Sequence, residues 1–286
     1  MRIGIVTDST ADLPLDFYQA YDDVVMVPLT VHFGDEVYKD WAEMLPDVFY
    51  ERMVTSVAAG VLPKTSQPPA GDFVDVYKKL GATCDHIISI HISSKLSGTM
   101  QSAKGATGMI KDIPVTLVDS QSTACQLGAM VKSLVEARDA GASLEELVTV
   151  ANHGIEWGKM FFAVDTLKYV EKGGRIGKAQ ALLGTLLNVK PLLTIEDGVV
   201  GPKGKASGTK KAIKEIVGFI GEEAAKRSAG TPWTLLLAYT NNPEIIDRLI
   251  AETNAAGLKY DKIETCQVGA VIGTYVGPGT FMVGIL

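Results

Sequence analysis

The chain has 286 residues, of which 47% are hydrophobic and 21% charged, and its formal net charge is −6 at pH 7. This composition is typical of a folded globular protein, and the acidic balance argues against nucleic acid or an anionic membrane surface as a partner. The cysteines lack C-x-x-C spacing, so neither a disulfide framework nor a zinc site is indicated. Strand-like residues rather than a signal-peptide core follow Met1, and no apolar stretch is long enough to span a bilayer. A cytoplasmic location is therefore expected.

The first half of the chain alternates short β-branched runs with segments of helical spacing. Strands are predicted at residues 3–7, 24–27, 30–33, 36–38, 87–92 and 115–118. Helices are predicted at residues 14–21, 47–58, 71–80 and 100–110, then from the loop at 119–122 to Ala137, and from the capping box at Ser143 to Trp157. Because strand, crossover helix and strand recur, this half is predicted to form a mainly parallel sheet flanked by helices. The prolines of segment 63–69 force an extended backbone, which holds Thr65 and Ser66 in a fixed orientation.

The second half has a different pattern. Strands are predicted at residues 160–164, 189–195, 199–200, 234–239, 263–268, 271–272 and 281–285, with helices at 165–173, 209–226 and 242–255. This pattern favours an α+β lobe with a mixed sheet, so the chain divides near Trp157 into an N-terminal lobe (1–157) and a C-terminal lobe (158–286). Residues 201–207 resemble a phosphate loop, but Val199 and Ala206 stand where glycine and Ser or Thr are needed, so a solvated basic loop is predicted instead.

Small hydroxyl residues follow the buried strand at 87–92. The loop at 93–99 reads Ser-Ser-Lys-Leu-Ser-Gly-Thr and precedes a predicted helix. Free backbone N–H groups, the helix dipole and the hydroxyls together favour an anion at such a position. The alternative is that Ser97 or Thr99 only caps the helix.

Two other predicted strands end in similar residues, at 8–10 and at 119–122. Since the carboxyl ends of parallel strands lie at one edge of a sheet, where ligands bind in open α/β folds, these side chains are expected to converge. For Asp8 and Asp119 the alternative is that they only cap or brace the loops.

Several catalytic signatures are missing from the sequence. There is no glycine-rich dinucleotide fingerprint, no H-E-x-x-H and no G-x-S-x-G. The histidines, at positions 32, 86, 91 and 153, are scattered. An anion site without a base, a nucleophile or a metal cluster indicates binding rather than catalysis, so no catalytic residue, metal or cofactor is predicted.

Five motifs, in order along the whole chain, resemble the DegV family. They are Asp-Ser-Thr-Ala-Asp-Leu-Pro at 8–14, Thr-Ser-Gln-Pro at 65–68, the segment 92–103, Gly-Gly-Arg-Ile at 173–176 and Gly-Pro-Gly at 277–279. The resemblance implies a two-lobed, non-enzymatic protein that binds a long-chain fatty acid such as palmitate in a tunnel between or beside the lobes. Some members are binding subunits of bacterial fatty acid kinases and present the carboxylate for conversion to an acyl phosphate. A partner kinase is therefore expected.

The resemblance also implies roles for individual residues. The carboxylate is expected to be held by hydroxyls of Thr65 and Ser97, with Ser94 as the competing choice in the loop. The remaining predicted ligand-binding residues are Ser66, Gly98, Thr99 and Tyr275.

Three further expectations concern the C-terminal lobe. Similar proteins often have histidine where this chain has Tyr275, which donates a hydrogen bond but carries no positive charge. Arg175 matches the arginine associated with the kinase interface; the alternative is a salt bridge to Glu171 or Asp165. Residues 179–187 are candidates for the tunnel lining, with an ordinary core segment as the alternative.

Two other functional classes remain open at this point. One is a hydrolase or transferase that uses Ser97 as nucleophile, for which Lys95 is the nearest candidate activator. The other is a lipid sensor that works without a kinase.

Overall fold

A computed structural model describes residues 1–184, 189–228 and 230–286 of the chain. Its strands are β1 (Ile3–Asp8), β2 (Val24–Val27), β3 (Thr30–Phe33), β4 (Glu36–Lys39), β5 (Lys64–Ser66), β6 (His86–His91), β7 (Val115–Asp119), β8 (Lys159–Ala163), β9 (Lys190–Glu196), β10 (Val199–Ala206), β11 (Thr234–Tyr239), β12 (Lys262–Gln267) and β13 (Phe281–Ile285). Its helices are α1 (Leu15–Gln19), α2 (Pro46–Ala58), α3 (Ala70–Gly81), α4 (Thr99–Thr107), α5 (Ala124–Asp139), α6 (Leu144–Trp157), α7 (Lys168–Lys172), α8 (Thr209–Ala225), α9 (Ile245–Ala255) and α10 (Ala270–Val276).

The first half forms a four-stranded parallel sheet in the order β2-β1-β6-β7. Its central strands are rich in β-branched residues, and Ile5, Val6, Ile88 and Ile90 are completely buried. They are buried because helices cover both faces: α3 and α4 pack on one side and α5 on the other. The predicted parallel sheet flanked by helices is confirmed.

The second half forms a six-stranded mixed sheet in the order β10-β9-β8-β13-β11-β12, which confirms the predicted mixed sheet. Alternate residues of β8 face opposite sides. Phe161 and Ala163 belong to the core beneath α8 and α9, whereas Met160 and Phe162 belong to the core that includes α5. Helix α5 therefore lies between the two large sheets.

The prediction of a solvated basic loop at 201–207 is wrong. Strand β10 includes residues 201–206 and pairs antiparallel with β9, with a bulge between Pro202 and Gly204. It is an edge strand, where proline and a bulge are tolerated because one side of the strand needs no partner. Lys203 packs against both the sheet and α8, with its Nζ 5.2 Å from the centre of the Phe161 ring and 4.9 Å from that of Phe219.

A small antiparallel sheet, in the order β4-β3-β5, lies beside the parallel one. The hairpin predicted at 30–38 forms β3 and β4. The extended segment predicted at 63–69 contains the edge strand β5, in which Thr65 pairs with Val31.

The prediction of a strand at 271–272 is wrong, because both residues lie in α10. This helix packs against α2, α7, β3 and β5, so it contacts elements of both halves of the chain. Sheet membership changes after Trp157, but one hydrophobic core contains residues from before and after that point. The division into lobes 1–157 and 158–286 stays a prediction.

Candidate functional site

A cavity of about 330 Å³ lies between the two large sheets and is bordered by α10. We call it the central cavity. Its apolar lining is Leu29, Ile92, Leu96, Met160, Phe162, Val170, Ile195, Val200, Val271, Ile272, Val276 and Met282. Its polar lining is Thr65, Ser66, Gln67, Ser97, Thr123, Arg175 and Tyr275. The volume lies within the range of roughly 300–1,000 Å³ usual for small-molecule sites.

Three of the polar lining residues, Thr65, Tyr275 and Arg175, are in contact with one another, and Ser97 lies beside them. The hydroxyls of Thr65 and Tyr275 are 2.5 Å apart. The guanidinium of Arg175 lies 5.1 Å from the centre of the Tyr275 ring, and its Nε donates to the carbonyl of Leu96, the neighbour of Ser97. Since Arg175 is exposed and the other three side chains are half-buried, this group lies where the cavity opens to solvent.

We call the loop at 93–99 the hydroxyl loop. Strand β5, which carries Thr65, is held against this loop by the side chain of Gln67. Its Nε2 donates to Ser102 Oγ over 3.0 Å. The amide of Gln67 also packs on Gly98, where a Cβ atom would overlap with it. Gly98 thus leaves room for the Gln67 amide, and a larger residue at position 98 would displace that side chain from its place beside the loop.

The structure separates the two serines between which the sequence left a choice. Ser97 lines the central cavity, whereas Ser94 is exposed and donates to Asp119 over 2.5 Å. Ser97 Oγ also accepts from the backbone N–H of Thr99 over 3.3 Å and lies 2.9 Å from the Thr99 hydroxyl. The N-cap residue of α4 is Gly98, which has no side-chain cap bond, so the alternative that Ser97 or Thr99 only caps the helix is wrong. The side chain of Ser97 faces the cavity.

The remaining predicted ligand-binding residues are placed as follows. Ser66 lines the cavity, but its hydroxyl lies 3.0 Å from His32 Nε2. Gly98 and Thr99 support Ser97 and Gln67 and are not among the residues that line the cavity.

The loops at 8–10 and 119–122 do converge with the loop at 93–99, but their carboxylates brace it. The carboxylate of Asp8 accepts from the N–H groups of Thr10 and Ile92 over 3.0 and 2.9 Å. Ser9 accepts from the N–H of Leu29 over 3.1 Å. Ile92 and Leu29 line the cavity, so this motif positions its apolar wall. Bracing, the alternative considered for Asp8 and Asp119, is what the structure shows.

Two buried carboxylates hold the start of α10. Asp12 accepts from the N–H of Gly269 over 2.9 Å, and Asp40 accepts from that of Ala270 over 3.1 Å. Burial raises the pKa of the Asp40 carboxyl to about 7. Burial, with repulsion from Asp40, raises the pKa of Asp12 well above its usual range.

Arg175 does not form the salt bridge considered as the alternative. Within the described ranges it pairs with no carboxylate, and Asp165 is bonded to Lys190. Its Nη1 donates to the carbonyl of Gly173 over 2.8 Å. The guanidinium therefore joins α7 to the hydroxyl loop and keeps donors free for an anion.

Sequence reasoning missed most of the apolar wall. Val271, Ile272, Tyr275 and Val276 all line the cavity, and their spacing of one, three and one residues is helical, so the signal was present. Of the predicted tunnel segment 179–187, residues 185–187 lie outside the described residues. Ala179 is buried in the core, and none of 179–184 lines the cavity.

The geometry around Ser97 does not suit a nucleophile. Lys95 Nζ donates to the carbonyl of Asp197 over 2.7 Å and is engaged there. A histidine–carboxylate pair exists at His91 and Asp8, but His91 Nε2 faces Ser89 at 2.6 Å, and these side chains are completely buried. The described residues thus give Ser97 no hydrogen bond to a general base. They also contain no cluster of three metal-ligating side chains and no helix long and apolar enough to cross a membrane.

Comparison with known proteins identifies the family. A family model described as an uncharacterised protein, DegV family, matches residues 2–286. The chain belongs to the DegV family. Protein DegV of Bacillus subtilis is 36% identical over 282 residues, which cover 98% of this chain and 97% of that protein. The resemblance predicted from the five motifs is confirmed.

Solved DegV structures share the fold over the full length. A DegV family protein from Thermus thermophilus, described by its fatty acid binding, has a TM-score of 0.92 and 38% identity, covering 100% of this chain and 99% of its own. DegV from Bacillus subtilis, described as a fatty acid binding protein, has a TM-score of 0.88 and 34% identity, with coverage of 100% and 99%.

Proposed function

We propose that this DegV-family protein binds one long-chain fatty acid and presents its carboxylate to a partner kinase. The observation that carries the proposal is the amphiphilic character of the central cavity, whose apolar wall ends in the hydroxyls of Thr65, Ser97 and Tyr275. Similar proteins from Thermus thermophilus and Bacillus subtilis are described as fatty acid binding.

The apolar wall supplies the affinity. Removing a saturated chain of about fifteen carbons from water is worth roughly 12 kcal/mol at about 0.8 kcal/mol per carbon. Part of this is lost to the translational and chain entropy of the bound ligand. Side chains such as Met160 and Met282 adapt to chains of different shape, because methionine is unbranched and flexible.

The hydroxyls supply the orientation. Thr65 and Ser97 are proposed to donate to the carboxylate. The hydroxyl of Tyr275, 2.5 Å from that of Thr65, is proposed to donate to Thr65, so that the threonine hydrogen stays directed at the ligand. Ser94 takes no part, since Asp119 accepts its hydroxyl. Binding of the fatty acid is proposed to involve no cofactor.

Presentation to a kinase is proposed because the head group lies at the opening. A carboxylate at Thr65 and Ser97 remains reachable from solvent while its tail is buried. Arg175, exposed beside Tyr275 and unpaired with any described carboxylate, is proposed to contact the kinase. A lipid sensor that works without a kinase would have the same cavity and no such transfer.

Mass spectrometry of lipid extracted from the purified protein tests binding. We expect about one equivalent of long-chain fatty acid, and a Val271→Phe variant, which places a ring in the cavity, should carry much less. Val48→Phe is the matched control, since Val48 is 54% exposed on α2. Absence of bound acid together with no uptake of added palmitate would refute the proposal.

A further inference from the structure

A second pocket adjoins the central cavity. Its volume is about 340 Å³, and it shares Thr65, Arg175 and Tyr275 with the central cavity. The Thr65–Tyr275 hydrogen bond thus forms part of the wall between the two. Lys64 of β5 and Lys172 of α7 line this pocket but not the central cavity. We call it the lysine pocket.

The lysine pocket is lined by positively charged side chains, and no Asp or Glu is among the described residues that line it. In the part of the chain that the structure describes, Lys64, Lys172 and Arg175 form no ion pair, whereas Lys132 and Lys190 do. In a protein with a net charge of −6, unpaired cations gathered around one pocket indicate an anionic ligand.

The backbone holds both lysines in place. Lys64 pairs with His32 in the small antiparallel sheet. Lys172 precedes Gly173, against which the Tyr275 ring packs so closely that a Cβ atom would overlap with it. The two cations are therefore carried on elements fixed relative to Tyr275 rather than on free loops.

We propose that the lysine pocket binds a phosphate group next to the head group of the fatty acid. The inference rests on the proposed function, since it assigns the pocket to the product of the transfer. In the proposed function the hydroxyls of Thr65 and Ser97 already bind the carboxylate of the fatty acid. Additional cations therefore stabilise the complex most when the ligand carries a second anionic group. Lysines provide point charges and Arg175 a planar pair of donors, which together suit a phosphate dianion.

Transfer of a phosphoryl group to the bound carboxylate places that group on the side of the lysine pocket. One carboxylate oxygen forms a bond to the terminal phosphorus of a nucleoside triphosphate. The bond from that phosphorus to its bridging oxygen breaks, and the nucleoside diphosphate leaves with the electron pair. The phosphorus of the resulting acyl phosphate lies one bond beyond the carboxylate oxygen held at Thr65, a residue that lines both cavities. Two sources share this chemistry: the acyl phosphate itself and free inorganic phosphate.

Binding measurements with three probes test the inference. The probes are palmitate, a palmitoyl β-ketophosphonate in which a methylene replaces the bridging oxygen, and inorganic phosphate added to palmitate-loaded protein. The proteins are the wild type, the double variant Lys64→Ala/Lys172→Ala, and Lys104→Ala. Lys104 is the matched control because it is an exposed lysine of α4 that lines neither cavity.

We expect the double variant to weaken phosphonate binding by about tenfold or more, because two charge-assisted contacts are lost. Palmitate binding should change by less than about threefold, since both lysines are exposed, screened by solvent, and do not line the central cavity. Lys104→Ala should affect neither. If inorganic phosphate binds to the palmitate-loaded wild type and this binding is lost in the double variant, free phosphate is also a ligand of the lysine pocket.

The results distinguish failure of the phosphate inference from failure of the proposed function. If the double variant keeps its melting temperature and binds the phosphonate as wild type does, or loses both lipids equally, the phosphate inference is refuted and fatty acid binding stands. If palmitate does not bind but inorganic phosphate added to the unloaded protein binds in a lysine-dependent way, the proposed function falls and the anion pocket remains. If no probe binds, both fall.

Discussion

Replacing Thr65 by valine should weaken fatty acid binding while leaving the shape of the site intact. Valine keeps the volume of threonine and the β-branched fit to β5, but it removes the hydroxyl that lies 2.5 Å from Tyr275. A hydrogen bond to a charged group contributes about 1.5–3 kcal/mol. Thr65 is half-buried, so solvent screens part of this bond, and we expect about 1–2 kcal/mol, or roughly a 5- to 30-fold rise in Kd.

A double-mutant cycle with Tyr275→Phe then tests how the two hydroxyls act. If Tyr275 serves by orienting Thr65, the combined variant should lose less than the sum of the single losses. Titration calorimetry with palmitate gives the Kd values, and the melting temperature of each variant shows whether the fold is intact. Ser94→Ala is the control, because its hydroxyl is accepted by Asp119 outside the cavity.

Two results would refute this reasoning. One is a Thr65→Val protein that keeps its Kd within about twofold of wild type, a change too small for a lost charge-assisted bond. The other is a Ser94→Ala protein weakened more than Ser97→Ala, which would mean that the carboxylate lies on the other side of the loop.

Three further predictions concern Arg175, Asp40 and Gly277. Arg175→Ala, assayed when fully loaded with palmitate, should form acyl phosphate with a fatty acid kinase at least about tenfold more slowly than Lys178→Ala, an exposed control; equal rates would remove Arg175 from the interface. Burial raises the pKa of Asp40 in the folded state to about 7, from a usual 3.8. Between about pH 4 and 7 the folded protein therefore binds more protons than the unfolded chain, and the free energy of unfolding should fall as pH rises through this range. Urea titrations across that range should show a smaller fall in Asp40→Asn, and an identical slope would contradict the assignment. Gly277→Ala should destabilise the protein more than Gly257→Ala, as measured by denaturant unfolding. Both glycines have positive φ (75° and 72°), which costs alanine about 1–2 kcal/mol, but at position 277 the added methyl would also overlap with the Tyr169 ring.

The sequence by itself determined the elements whose signals are local. Continuous apolar runs such as those of β1 and β6 predict buried strands, because helices cover both faces of a parallel sheet and leave no strand face open to solvent. The capping box at Ser143 is formed as predicted: its hydroxyl accepts from the Glu146 N–H over 3.3 Å, and Glu146 accepts from the Ser143 N–H over 2.7 Å. The DegV motifs are likewise legible in order along the chain.

Local patterns misled where tertiary contacts decide the outcome. Residues 271–272 have a strand-like composition, but Asp12 and Asp40, from the other half of the chain, accept the N–H groups that start α10. Residues 201–206 have loop-like glycine and proline, but β9 provides a partner for them at the edge of the sheet.

The site itself was decided by packing. Ser94 and Ser97 are chemically equivalent in the sequence, and only the position of Asp119 assigns one of them to a brace and leaves the other facing the cavity. Thr65 and Tyr275 are 210 residues apart, and their hydrogen bond exists because α10 packs on β5. Contacts between residues so distant depend on how whole helices and sheets bury their apolar faces, a global free-energy balance that no short stretch of sequence contains.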